Sequence, residues 1–322
     1  MSEFTIRHIT RYTYEDTVRD SANQIMLYPL VGEYQEVLSH SLNITSKPLV
    51  NIHQDYYGNQ VGTFTQAQPH RELVIDSQLK VVINSRPVPK DVVSFEIQWQ
   101  ELDALRSKLE FIDFMKAERF EALPEVKAVL EEERCKNCTP LETAQRFSQY
   151  VFDTFAYRKG ITTVETTLDE VWKLKSGVCQ DFAHILLVML RLTGIPARYV
   201  SGYICPNKKG MRGEGATHAW VEAYIPGYGW LGLDPTNNCL VNETHLRLAV
   251  GKNFSDCSPV KGTYRGTSNH TLEVSVVVTY EDGKTPLVDE VVALPVPATS
   301  MSTYKNSFRR HQEMQMQQQQ QQ

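Results

Sequence analysis

A cysteine set where a loop turns into an apolar helix constrains this chain more than any other feature. The stretch is Ser176-Gly177-Val178-Cys179-Gln180-Asp181-Phe182-Ala183-His184, and it runs into the apolar segment Ile185 to Leu192. A helix with so few polar positions has to lie inside a core. Gly194-Ile195-Pro196 closes it, because glycine suits the residue just past a helix and proline cannot continue one. Cys179 therefore falls in the first turn. Unpaired N–H groups and the positive dipole end there favour a thiolate, so the expectation is a cysteine nucleophile.

Ahead of this helix the pattern changes twice. From Phe4 to about Asn84 apolar and polar residues alternate, rich in Ile, Val, Thr and Tyr, which reads as strands over Phe4 to Tyr14, Glu36 to Thr45, Gln60 to Thr65 and Leu73 to Ile83. The expected unit, residues 1–85, is an antiparallel sandwich of its own. Arg86-Pro87-Val88-Pro89 then opens a linker and helical lead-in over 86–138. Thr139-Pro140-Leu141-Glu142 is a capping box with proline at the first helical position, and Leu141, Ala144, Phe147, Val151 and Phe155 follow as a core-facing stripe. Thr167-Leu168-Asp169-Glu170 repeats the box.

After the cysteine helix, strands are expected over Ala197 to Ile204, His218 to Ile225 and Trp230 to Asp234. Pro226-Gly227 joins the last two as a hairpin. The loop from Pro206 to Thr217, with Lys208, Lys209 and Arg212, reads as mobile and as the border of a cleft. With a further strand at Leu272 to Tyr280, the core is expected to span 139–282. Residues 283–322 read as an irregular extension with a disordered glutamine-rich tail at Met314 to Gln322.

A length of 322 residues suits two domains, and a net charge of -5 without a basic stripe argues against nucleic acid as a partner. The start of the chain lacks an h-region, and Ile185 to Leu190 is far too short to span a bilayer, so a cytoplasmic protein with no membrane partner is expected. In that setting the six cysteines read as mostly free thiols. Cys135-Lys136-Asn137-Cys138 has no second ligand pair at zinc spacing and reads as a surface turn before a helix. No cofactor or metal is expected.

A nucleophilic thiol needs a base, and the base a group to orient it. His184 is nearest, but five residues along a helix turn it by about 500°, roughly 140° away from Cys179. Pairing with Asp181 on its own helix is its expected fate. His218 begins one hairpin strand and Asp234 ends the other, which brings them together to within a residue or two of register. Taken singly, each has an ordinary explanation: a small buried thiol, a satisfied strand histidine, a turn former before Pro235. Their joint placement favours Cys179, His218 and Asp234 as one catalytic site.

Gly177 to His184, Leu190-Arg191-Leu192-Thr193-Gly194-Ile195-Pro196-Ala197-Arg198-Tyr199-Val200-Ser201-Gly202-Tyr203, His218-Ala219-Trp220-Val221-Glu222 and Asp234-Pro235-Thr236-Asn237 together resemble the bacterial transglutaminase-like family. The strand-rich region containing Tyr57-Gly58-Asn59 also resembles the β domain that precedes this core in bacterial members. The resemblance implies an α+β fold: a papain-like transglutaminase core after an all-β sandwich-like domain. It implies Cys179 as nucleophile, His218 as general base and acid, and Asp234 as orienting carboxylate in acyl transfer through a thioester. A peptide or protein is the implied substrate. For the second oxyanion donor, Trp172 lies only seven residues before Cys179, and Tyr157 reads chiefly as packing. The sequence shows no EF-hand type calcium loop, and the pair of C-terminal β domains of animal transglutaminases is not expected after residue 240. A peptidase or amidase is therefore favoured over a protein-glutamine transglutaminase or deamidase, with a noncatalytic binding protein on the same fold as the remaining reading.

Overall fold

Residues 2–25 organise the N-terminal half. In the computed structural model, which describes residues 2–133, 135–163, 166–205, 211–213, 216–266, 269–280 and 293–294, they form one long strand, β1 (Ser2–Ile25). Its alternation buries Phe4, Ile6, His8 and Thr10. Four more strands follow: β2 (Gln35–Ile44), β3 (Asn51–Gln54), β4 (Gln60–Gln66) and β5 (His70–Ile83). The expected extension and glutamine-rich tail at 283–322, apart from 293–294, and much of the 206–217 loop lie outside the described residues.

Beyond the proline-rich linker come α1 (Phe95–Leu105), α2 (Leu109–Met115), α3 (Leu123–Glu133) and α4 (Pro140–Thr154). The expected capping box starts α4: Thr139 Oγ1 accepts from the Glu142 N–H at 3.2 Å, and the Glu142 carboxylate accepts from the Thr139 N–H at 2.9 Å. Such a cap contributes about 1 kcal/mol. The stripe Leu141, Ala144, Phe147, Val151 and Phe155 is buried against the central helix as predicted. Cys135 and Cys138, in the turn just before this helix, are joined as a disulfide, while the other four cysteines are thiols.

The chain continues through β6 (Ala156–Tyr157), α5 (Leu168–Leu174), β7 (Ser176–Gly177) and α6 (Cys179–Thr193). Then come β8 (Ala197–Ile204), β9 (Thr217–Ile225), β10 (Gly229–Asp234), β11 (Cys239–Leu240) and β12 (His245–Gly251), an antiparallel sheet in the order β11-β10-β9-β8-β12. Ala219, Val221, Ala223 and Ile225 of β9 pack with Ile185, Leu186 and Met189 of α6 in one core. The hairpin turn is type II as expected: Gly227 has φ +73°, and the Tyr228 N–H donates to the Ile225 carbonyl at 3.0 Å. No helix among the described residues is long and apolar enough to cross a membrane.

The end of the described chain overturns one expected boundary. After α7 (Phe254–Cys257), β13 (Val260–Arg265) and β14 (His270–Tyr280) do not extend the catalytic sheet. Both pair with β1, β14 along Phe4 to Tyr14 and β13 along Arg19 to Ile25, and β15 (Ala293–Leu294) adds to β14. β1 is thus flanked on both edges, by β5 and β14 in its first half and by β4 and β13 in its second. A strand this long would otherwise expose a row of unpaired backbone groups. Nor is the β region closed upon itself, because Tyr203, Cys205, Leu246 and Leu248 of the catalytic half complete its core.

Polar contacts tie the two halves as well. His8 Nδ1 lies 2.7 Å from the Tyr203 hydroxyl, and Thr10 Oγ1 lies 3.1 Å from His8 Nε2. Asn59 holds Val250 by both backbone groups, donating to its carbonyl at 2.7 Å and accepting its N–H at 2.8 Å. A third junction centres on Glu222 of β9, which is wholly buried. Arg198 donates to it at 2.7 Å, Arg247 at 3.2 Å, and Arg86 from the linker stands 3.8 Å away.

Candidate active site

The turn before Cys179 is built around one carboxylate acceptor. Asp181, at the third position of α6, folds its carboxylate back to accept the Val178 N–H at 2.8 Å and the Thr162 hydroxyl at 2.7 Å. This satisfies the N–H of the N-cap residue Val178 itself, the reciprocal half of a capping box. The same carboxylate lies where a Cβ on residue 177 would stand, so Gly177 is required there. Burial raises the Asp181 pKa, with these two hydrogen bonds opposing. Gly194, at φ +92°, ends the helix, and the Ile195 N–H returns to the Leu190 carbonyl at 3.0 Å. Cys179 is left partly exposed in the first turn.

His218 and Asp234 are both buried and in contact. His218 Nε2 donates to Asp234 Oδ2 at 2.9 Å. The strand register pairs Val221 with Leu233, so Asp234 falls opposite Trp220 and reaches His218 diagonally. Burial on its own would lower the His218 pKa, but the Asp234 charge and then Cys179 outweigh it and the pKa is raised. The neighbouring Cys179 thiol adds to that rise, which sets it beside the imidazole. His218 Nδ1 is buried without a well-aligned hydrogen bond, and with Nε2 committed to Asp234 it is the nitrogen left to meet the thiol.

Asp234 serves more than one partner. Its Oδ1 accepts the Thr236 N–H at 2.9 Å, and its Oδ2 accepts Asn237 Nδ2 at 2.8 Å and His245 Nε2 at 3.3 Å. Burial would raise its pKa, but His218 and His245 hold it below the ordinary carboxylate range. Asn237 also accepts the Arg212 N–H at 2.7 Å and donates to the Arg212 carbonyl at 3.2 Å, pinning the described part of the loop before β9. That loop passes close over the imidazole: a Cβ on Gly213, which has φ +79°, would stand 2.9 Å from His218 Nδ1.

Residues 130–235 match the transglutaminase-like superfamily, and residues 4–82 match the bacterial transglutaminase-like N-terminal region. The chain is 32% identical over 300 residues to an uncharacterised protein of Mycobacterium tuberculosis, covering 86% of this chain and 93% of that one. The chain belongs to the transglutaminase-like superfamily. A relative from Mycobacterium leprae is 30% identical over 283 residues, covering 87% of this chain and 99% of that one. A protein-glutamine gamma-glutamyltransferase of Pseudomonas aeruginosa is 32% identical over 121 residues, 35% of this chain but 18% of that one. The crystal structure of a candidate cysteine protease from Cytophaga hutchinsonii shares the fold at TM-score 0.67 and 20% identity, over 91% of this chain and 96% of that one.

Within this transglutaminase-like core, one sequence expectation needs correction. His184 does not pair with Asp181. Its Nε2 accepts the Phe254 N–H at 3.3 Å, since Asp181 is already engaged as the helix-start acceptor. Trp172 is not available to an oxyanion either, because its Nε1 donates to Glu125 at 2.8 Å. Tyr157 lies in register with Gly177 across the β6–β7 bridge, and its ring packs edge-on against Phe182. His245 escaped the sequence reading altogether. It sits on a strand beyond the recognised motifs, and only its buried contact with Asp234 marks it.

Proposed function

We propose that the protein is a cysteine-dependent acyl-transfer enzyme whose main reaction is hydrolysis of a peptide-like amide. The observation that carries this reading is the contact chain from partly exposed Cys179 through His218 to buried, ionised Asp234. A noncatalytic scaffold would have no need to keep the thiol accessible beside a polarised imidazole.

In this reading Cys179 Sγ loses its proton to His218 Nδ1 and attacks the substrate carbonyl carbon. The Cys179 N–H, which has no intrahelical acceptor in the first turn, supports the developing oxyanion. The C–N bond then breaks as His218 returns the proton to the leaving amine, giving a thioester. Water, deprotonated by His218, releases the acid and restores the thiol. Asp234 keeps Nε2 protonated and stabilises the imidazolium throughout.

A second reading replaces water with a primary amine, giving glutamine crosslinking. The glutamyltransferase relative from Pseudomonas aeruginosa favours it over its 121 matched residues. Mass spectrometry of glutamine-containing and general peptides, incubated with and without a primary amine, separates the two: cleavage or deamidation supports hydrolysis, and amine incorporation supports transfer. An alkylating probe at neutral pH should modify Cys179 faster than the other thiols. Equal labelling of Cys179 and Cys239 would overturn the acyl-transfer reading.

A further inference from the structure

Asp234, Cys239 and His245 come from three different strands, and their side-chain ligand atoms all lie within 4.8 Å of one another. Asp234 and Cys239 are paired Cα to Cα across β10 and β11, so their side chains stand on the same face. His245 reaches the same point from β12.

We propose that these three residues form a binding site for zinc, and that its occupancy withdraws Asp234 from His218 and so silences the thiol site. The binding half stands alone, whereas the silencing half rests on the acyl-transfer reading above. With zinc–nitrogen and zinc–oxygen bonds of about 2.0–2.1 Å and tetrahedral angles, two such ligands stand roughly 3.3 Å apart. His245 Nε2 is 3.3 Å from Asp234 Oδ2. Drawing the Cys239 sulfur into place takes movement on the order of 1 Å, and Cys239 is only partly buried.

The chemistry of the set points to zinc. One thiolate, one imidazole and one carboxylate favour a borderline-soft ion over magnesium or calcium. Two negative ligands neutralise its two charges, the Cys239 thiol releasing its proton to solvent on binding. The partly exposed side at Cys239 gives a way in, since Asp234 and His245 are enclosed. The consequence for the thiol site follows from one atom: Asp234 Oδ2, which faces His245, is also the oxygen that receives His218 Nε2–H at 2.9 Å. A metal on that oxygen competes with the imidazole for it.

The full chain titrated with Co2+ as spectroscopic probe and Zn2+ as competitor tests this. A thiolate-to-cobalt charge-transfer band, displaced by Zn2+, is expected in the unaltered protein and in Cys179→Ala. Cys239→Ser should lose it, and His245→Gln should weaken binding at least about 10-fold. Circular dichroism confirms that each variant is folded, and Cys239→Ser alone suffices should His245→Gln fail to fold. A band lost in Cys179→Ala, retained in Cys239→Ser, or absent throughout overturns the site.

Silencing is read as the ratio of Cys179 alkylation rates without and with Zn2+, expected to be about tenfold or more in the unaltered protein and near one in Cys239→Ser. An equal ratio in both overturns silencing while leaving binding intact. A Cys179 that alkylates no faster than Cys239 overturns the acyl-transfer reading and leaves the cobalt result untouched.

Discussion

His218 and Asp234 meet at 2.9 Å although the hairpin register sets Asp234 opposite Trp220, two residues along the strand. The diagonal reach leaves Asp234 Oδ2 open to Asn237 and His245 as well, so one buried carboxylate anchors the imidazole, the loop before it and a second histidine.

Asp234→Asn keeps the shape and removes the charge. The amide presents a donor where His218 Nε2–H needs an acceptor, so the other tautomer is favoured and Nδ1 carries the proton. Turnover is expected to fall by roughly four orders of magnitude, as in a serine triad. Steady-state kinetics on whichever peptide proves to be a substrate checks this, with an unchanged circular dichroism spectrum as control. A loss smaller than tenfold would remove Asp234 from the orienting role.

Gly213→Ala forces a side chain into a positive-φ position and to 2.9 Å from His218 Nδ1. The loop must shift or the imidazole must turn. Displacement of a reacting group by about 1 Å costs on the order of 100-fold in rate. The loss should appear in kcat and in Cys179 alkylation, with thermal stability lowered by no more than about 1–3 kcal/mol.

Gly177→Ala would collide with the Asp181 carboxylate and break its bond to the Val178 N–H. Removing a helix-start acceptor costs about 0.5–2 kcal/mol. A lower urea midpoint together with slower Cys179 alkylation is expected, since the same turn sets the thiol. Asp181→Ala in the Gly177→Ala background should recover part of the lost stability by relieving the collision.

Acid should weaken the junction at Glu222. Burial would raise its pKa, but Arg198, Arg247 and Arg86 together push it down to about 2, with Tyr34 and Tyr228 the other titratable groups nearby. Because the folded pKa lies below that of the unfolded chain, the unfolded state binds the proton first. The stabilisation is therefore complete above the ordinary glutamate range and is lost as pH falls toward about 2. Glu222→Gln should cost about 3–5 kcal/mol at neutral pH by leaving three arginines without their counter-charge. Urea midpoints measured from pH 7 down to 2 should also fall less steeply in the variant than in the unaltered protein.

Much of the site was legible because its signals are local. Cys179 was marked by the glycine before it, the apolar helix after it and the glycine-proline stop. His218 and Asp234 were marked by a hairpin whose turn residues fix which ends approach. His245 carried no such mark, since nothing near it in the chain implies a contact with Asp234. The fate of Asp181 differs from the expectation for a related reason: its carboxylate turns back to the Val178 N–H, because an unpaired N–H at a part-buried helix start is costly, and His184 accepts from Phe254 instead.

The sequence by itself marked the two capping boxes, the cysteine helix, the hairpin after it and Cys179, His218 and Asp234 as candidates, because periodicity, capping and turn chemistry act over a few residues. Tertiary structure alone decided that β13 and β14 return to the first strand, that the two halves share a core through Tyr203 and Leu246, and that His245 and Cys239 gather around Asp234. Those contacts join residues tens to hundreds of positions apart. Strand partners are selected by which edges and faces remain uncovered once the whole chain has condensed.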